Sequence, residues 1–170
     1  IVGGCRSSGP GRLIVAGSKG VPQVIAPGAV DMANFGPLDT VPKKYSDRLF
    51  YQHTATTTLM RTNADEMVQL ANLMADRLNR ARGPVSVLIP RRGFSKYDHE
   101  NGPFAMTYNG SQADRVWYDP EANTAFISAL ASGLDKNRVN FRVIDAHIND
   151  KQFAVELVRE LLSFAPKKHL

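Results

Sequence analysis

A chain of 170 residues, 43% hydrophobic and 22% charged, fits one domain with a real core and excludes a disordered tail. No run approaches the roughly 20 apolar residues that cross a bilayer. No charged-then-apolar leader is visible, and the single Cys5 excludes an internal disulfide and a Cys-based zinc site, so a reducing, cytoplasmic setting away from membranes is expected. The net charge of +5 comes from scattered residues with no aromatic-and-basic stripe, so nucleic acid is not expected as a partner.

The start, Ile1-Val2-Gly3-Gly4, resembles the mature N-terminus of a trypsin-like protease. The helical patterns further on and the missing Gly-Asp-Ser-Gly-Gly segment reject that kinship. Ser7-Ser8-Gly9-Pro10 offers a cap and first turn for a helix through Leu13, Ile14 and Ala16, ending at Gly20. The run Val21–Ala26 reads as a strand, with Pro22 near its start where a missing ladder donor is tolerated. Asn63 with Glu66 three residues on forms a capping box. Met67, Leu70, Ala71, Met74 and Leu78 then recur at helical spacing up to Gly83-Pro84. Val85–Ile89 is the next strand. Asp119-Pro120-Glu121 starts a third helix, with Phe126, Ile127, Leu130 and Leu134 as its buried face. Val139–Ile144 is a third strand. Asn149 or Asp150 caps a last helix whose stripe is Phe153, Ala154, Leu157, Val158, Leu161 and Leu162, and Pro166 stops it.

Alternation of helix and strand predicts an α/β fold: a mainly parallel, Rossmann-like sheet with helices on both faces. Residues 1–170 are expected to form one α/β subdomain, a fragment of a longer two-subdomain region, since the chain starts without Met. Two segments resist the alternation, Pro27 to Thr62 and Arg91 to Tyr118. Loops of that length are uncommon unless they function or dock. Thr54–Met60 has the β-branched content of a strand, whereas Asp31-Met32-Ala33-Asn34-Phe35-Gly36-Pro37 reads as turns.

The three strands end at Pro27-Gly28, at Pro90-Arg91-Arg92-Gly93 and at Asp145-Ala146-His147. In an open parallel sheet these clusters share the edge where ligands bind. Arg91, Arg92, Gly93 and Ser95 offer guanidinium forks and close backbone amides to an anion, and Gly28 lets backbone approach it. Asp145 and His147 share a side if the strand continues, so the carboxylate is expected to orient the imidazole. His53 and Arg61 bracket the threonine-rich string Thr54–Thr58. Arg61 precedes a helix N-terminus, which suits an anionic ligand. No Walker loop, dinucleotide fingerprint or serine-hydrolase elbow is present, and no metal-ligand set is visible.

The strings Pro22–Gly36, Thr58-Leu59-Met60-Arg61-Thr62 and Asp145-Ala146-His147-Ile148-Asn149-Asp150 together resemble the ATP-binding region of the tomato mosaic virus resistance protein family, over nearly the whole chain. The resemblance implies two α/β subdomains, of which this chain is similar to the second. It also implies nucleotide binding by the complete region.

The leading expectation is a subdomain that binds ATP or another phosphorylated small molecule, with magnesium as a companion ion. Its partners are expected to be the upstream subdomain and a second copy in a homo-oligomer. The alternatives are an enzyme on a small carboxylate or phosphorylated metabolite, with His147 or His53 as acid/base, and a protein-interaction module built on the long segments.

Overall fold

Apolar runs bounded by caps and turns become the elements of the chain. In order these are α1 (Val15–Ser18), β1 (Gln23–Ile25), β2 (Met32–Phe35), β3 (Phe50–Thr54), β4 (Thr57–Arg61), α2 (Ala64–Asn79), β5 (Val85–Pro90), β6 (Phe104–Met106), β7 (Gln112–Val116), α3 (Pro120–Gly133), β8 (Val139–Ile144) and α4 (Lys151–Ser163). This computed structural model describes residues 1–165, so the expected stop at Pro166 lies outside the described residues. Among the described residues no helix is long and apolar enough to cross a membrane.

β1, β5 and β8 form a parallel sheet in that spatial order. The central strand β5 is buried along its whole length, which is why it reads as a near-continuous apolar run. Its side chains alternate. Val85, Val87 and Ile89 join Met67, Met74 and Leu78 of α2 and Phe126 and Leu130 of α3 in the main core. Leu88 points the other way, toward Phe153 and Leu157 of α4. Helices therefore cover both faces, and each fully buried Val, Leu or Phe stabilises the arrangement by about 1.5–3 kcal/mol.

The caps explain where the helices begin. Asn63 Oδ1 accepts from Glu66 N at 2.9 Å, and Glu66 Oε2 accepts from Asn63 N at 3.0 Å, completing the expected capping box of α2. Asp119 Oδ1 accepts from Ala122 N at 3.0 Å ahead of Pro120 in α3. Asp150 occupies the N-cap position of α4, but its carboxylate turns back to accept from His147 N at 2.8 Å.

The α/β class holds, but the chain is mixed rather than mainly parallel. The two long segments carry a second, five-stranded antiparallel sheet in the order β2-β4-β3-β6-β7. Its strands are short and polar, and the β3–β4 and β6–β7 pairings shift register, so no sustained alternation marks them. Asp31–Pro37 is accordingly not a turn: Met32–Phe35 pairs with Thr58–Arg61. Phe35, Tyr45, Phe50 and Met60 form this sheet's own core. The first helix is also shorter than expected, a single turn rather than a run from Pro10 to Gly20. The expected buried stripe of α4 is mostly exposed, with Phe153 as its one fully buried member.

Candidate functional site

Where the two sheets meet, a polar network is sealed from solvent. Arg61, at the end of β4, is 3% exposed, and Asp31 and Asp98 are fully buried. The guanidinium donates to Trp117 O at 3.1 Å, Asp31 O at 2.9 Å, Asn123 Oδ1 at 2.9 Å and Asp98 Oδ1 at 3.3 Å. Asp98 Oδ2 accepts from Phe94 N and Asn123 Nδ2, each at 2.9 Å. Asp31 Oδ2 accepts from Ser95 Oγ at 2.7 Å and Trp117 Nε1 at 2.9 Å. The guanidinium thus pairs with the Asp98 carboxylate and the Asp31 backbone carbonyl, while the Asp31 carboxylate is held by two neutral donors. Burial pushes the Asp98 carboxyl up, against the pull of Arg61. Asp31 Oδ1 is buried with no partner among the described residues.

The loop after β5 is built around Gly93. Its φ of +137° is a backbone state that L side chains rarely adopt, and an added Cβ there would collide with the Asp98 carbonyl and lie 2.9 Å from His147 Cδ2. Beside it, His147 Nε2 donates to Ser95 O at 2.9 Å while Nδ1 accepts from Asn149 N at 3.3 Å. These two bonds fix the Nε2–H tautomer and engage both ring nitrogens.

Asp145 does not orient His147. It faces solvent and binds the two arginines instead. Arg91 Nη2 lies 2.9 Å from Oδ1, and Arg92 grips the carboxylate with Nε at 3.0 Å and Nη2 at 2.8 Å. The strand ends at Ile144, so the period-two alternation that would have paired residues 145 and 147 stops before them. The fork from Arg92 and then Arg91 holds the Asp145 carboxyl down to about 2. His53 stands elsewhere, exposed on β3, with Nδ1 2.6 Å from Tyr97 Oη. Tyr97 in turn packs on Tyr51 with ring centroids 4.5 Å apart.

The sequence-derived set therefore divides. Arg61, Ser95, Gly93 and His147 are linked, through Asp31 and the residue-93 loop, into a buried tie between loops. Arg91, Arg92 and Asp145 form an exposed ion cluster. Gly28 alone lies in the wall of an open cleft.

That cleft is a groove of about 590 Å³. One side is the carboxyl end of β1 and the turn after it, including Pro27, Gly28 and Ala29. Asn34 of β2 and Thr62 also line the groove, and Leu70, Leu73 and Met74 of α2 contribute apolar surface. The N-terminal arm forms the far side, fastened by Cys5 N donating to Asn34 O at 2.7 Å and Tyr45 Oη donating to Val2 O at 2.8 Å. Arg6, Arg12 and Arg77 line the groove with Ser7 and Ser8. Among the described residues none of the three arginines pairs with a carboxylate. The one carboxylate in the wall, Glu66, is held by Arg48 at 2.6 Å. Among the described residues both non-glycine positions with positive φ, Leu13 at 66° and Ala29 at 55°, also lie in this wall. Each such residue costs on the order of 1–3 kcal/mol and tends to sit at a ligand clamp.

Sequence reasoning missed this groove, because Arg6 and Arg12 sit in an arm with no periodic signal. It also missed Asp31, Asp98 and Asn123 as the partners of Arg61. The signal there was the cost of burying Arg61 without partners, which required acceptors somewhere in the long segments.

The model of the uncharacterised protein family UPF0261, C-terminal domain, matches residues 1–165. The chain is 36% identical over 167 residues to a UPF0261 protein of Clostridium tetani, covering 98% of this chain and 38% of that one. It is 34% identical over 168 residues to the ToMV resistance protein Tm-1(GCR237) of Solanum lycopersicum, covering 98% of this chain and 21% of that one. It is 35% identical over 155 residues to a UPF0261 protein of Rhizobium meliloti, covering 91% and 36%. This chain belongs to the UPF0261 family, in agreement with the resemblance drawn from its sequence, and spans about two fifths or less of these relatives' lengths.

Proposed function

We propose that the groove between the N-terminal arm, β1 and α2 binds a phosphorylated small molecule of the nucleotide type. The observation that carries this reading is that Arg6, Arg12 and Arg77 border one cleft, Arg77 Nη1 donating to Arg12 O at 3.0 Å, and that the one carboxylate among the described residues of its wall is neutralised by Arg48. Guanidinium groups supply planar forks for phosphate oxygens, and Gly3, with open space beside its Cα, leaves backbone open to close approach. Leu70, Leu73 and Met74 offer an apolar bed for a base or other flat group. The groove lies at the carboxyl end of a parallel strand, the general position of ligands in open α/β sheets. The family's ATP-binding resemblance favours a nucleotide.

The donor set does not fit a protein-held magnesium ion. Glu66 is engaged by Arg48, and among the described residues no group of three His, Cys, Asp or Glu side chains gathers to hold a metal. The acid–base reading has less geometric support, because both ring nitrogens of His147 are engaged.

Calorimetry on the complete protein with ATP, AMP and inorganic pyrophosphate tests the proposal. Saturable heat with at least one of them, weakened about tenfold or more by Arg77→Ala, is expected. No heat with any of the three, or binding indifferent to Arg6→Ala and Arg77→Ala, counts against it.

A further inference from the structure

Helix α4 carries an apolar face that none of the described residues covers. Val155, Val158, Leu161 and Leu162 are 38%, 56%, 53% and 66% exposed. At 100° per residue these four, with Ala154, fall within an arc of about 120°, the width of a core-facing helix stripe. The opposite flank is the one that holds the helix down. Phe153 is buried, Glu160 accepts from Ser86 Oγ and from Asn140 Nδ2 at 2.9 Å, and Glu156 pairs with Arg142 at 2.8 Å. The apolar face is thus presented outward on a helix fixed by both packing and ion pairs. It stands on the far side of the parallel sheet from α2, and no residue of α4 lines the ligand groove.

We infer that this face of α4 is the docking surface for the part of the UPF0261 chain that lies outside the C-terminal domain in the longer relatives. Two observations select that occupant. The matched region is the C-terminal domain, and it spans 38% of the Clostridium relative and 36% of the Rhizobium one, leaving most of each chain to be packed. The area is also wrong for a free second copy. Four partly exposed aliphatic side chains offer a few hundred Å², against the ~800 Å² per partner of a stable dimer. A domain tethered in the same chain meets the surface at an effective concentration near millimolar, so a weaker contact suffices to hold it there.

Thiol labelling of the complete protein tests this. Val158→Cys, Leu162→Cys and Gln152→Cys are made singly in a background without native cysteines, and maleimide incorporation is followed by mass spectrometry. Gln152 is exposed and points away from the apolar arc, so it reports an open helix. Residues 158 and 162 are expected to label at least tenfold more slowly than residue 152, equally at low and high protein concentration. Equal rates at all three positions overturn the inference. Protection that disappears on dilution also overturns it and assigns the face to a second copy. All three substitutions fall at exposed positions, and a circular dichroism spectrum matching the parent excludes misfolding as the cause of any change.

Discussion

The Ser95 hydroxyl donates to Asp31 Oδ2 at 2.7 Å, tying the loop after β5 of the parallel sheet to the residue that leads into β2 of the antiparallel one. Both residues are buried. Ser95→Ala leaves Oδ2 with Trp117 Nε1 as its remaining donor beside an already unpartnered Oδ1. The expected loss is ~1–3 kcal/mol. Urea unfolding is expected to give a lower midpoint with an unchanged slope. An unchanged midpoint contradicts the role given to this bond.

Arg61 concentrates more of the inter-sheet bonding than any other side chain in the network. Arg61→Leu strands Asp98 and Asn123 and frees the carbonyls of Asp31 and Trp117. A loss of ~3–5 kcal/mol is expected, because an uncompensated carboxylate stays buried. Arg61→Lys is expected to recover little, since an ammonium cannot span acceptors fixed on four separate segments. Full stability of the lysine variant in thermal or urea melts contradicts this.

At Gly93 the backbone leaves no room for a side chain. Gly93→Ala forces a Cβ into the Asp98 carbonyl at φ +137°. A destabilisation of at least ~3 kcal/mol is expected from strain and overpacking together. Gly110, also at positive φ but with the nearest atom 3.6 Å from the added carbon, serves as the control. Gly110→Ala is expected to cost clearly less in the same unfolding assay.

Asp145 supplies the pH prediction. Arg92 and Arg91 depress its carboxyl to about 2, below the usual carboxylate value. A depressed acid adds stability above its unfolded pKa and loses it as pH falls through its folded pKa. The Asp145 contribution is therefore present above about pH 4 and lost as pH approaches 2. A carbon-detected NMR titration is expected to give that low value in the parent and a value nearer the ordinary one in Arg92→Ala. An ordinary value in the parent contradicts the observed ion cluster.

The three parallel strands and the helices α2 and α3 were legible because caps and periodicity agreed with burial, whereas α4 was legible as a helix but not in what it buries. Asn63 with Glu66, and Asp119 with Pro120, each carry a local reason to start a helix. The antiparallel sheet was not legible. Phe104–Met106 is only three residues long and Gln112–Val116 is largely polar, so neither has a pattern that outlasts noise. Of the expected site residues, Gly28 lies after a strand as its position implied and lines the groove proposed above. Arg91 and Arg92 were placed correctly at the sheet edge, but sequence spacing gave no sign that Asp145 would claim both. Likewise, the apolar periodicity of α4 was read as a buried stripe, because a pattern reveals an apolar face without saying whether the same domain covers it.

The groove itself is best tested by mapping amide shifts on the isotope-labelled complete protein as ATP is added. The account predicts saturable shifts centred on Gly4, Gly28, Thr62 and Arg77, with Arg91, Arg92 and His147 unmoved. Shifts centred on Arg91 and Arg92, or none at saturating nucleotide, contradict it.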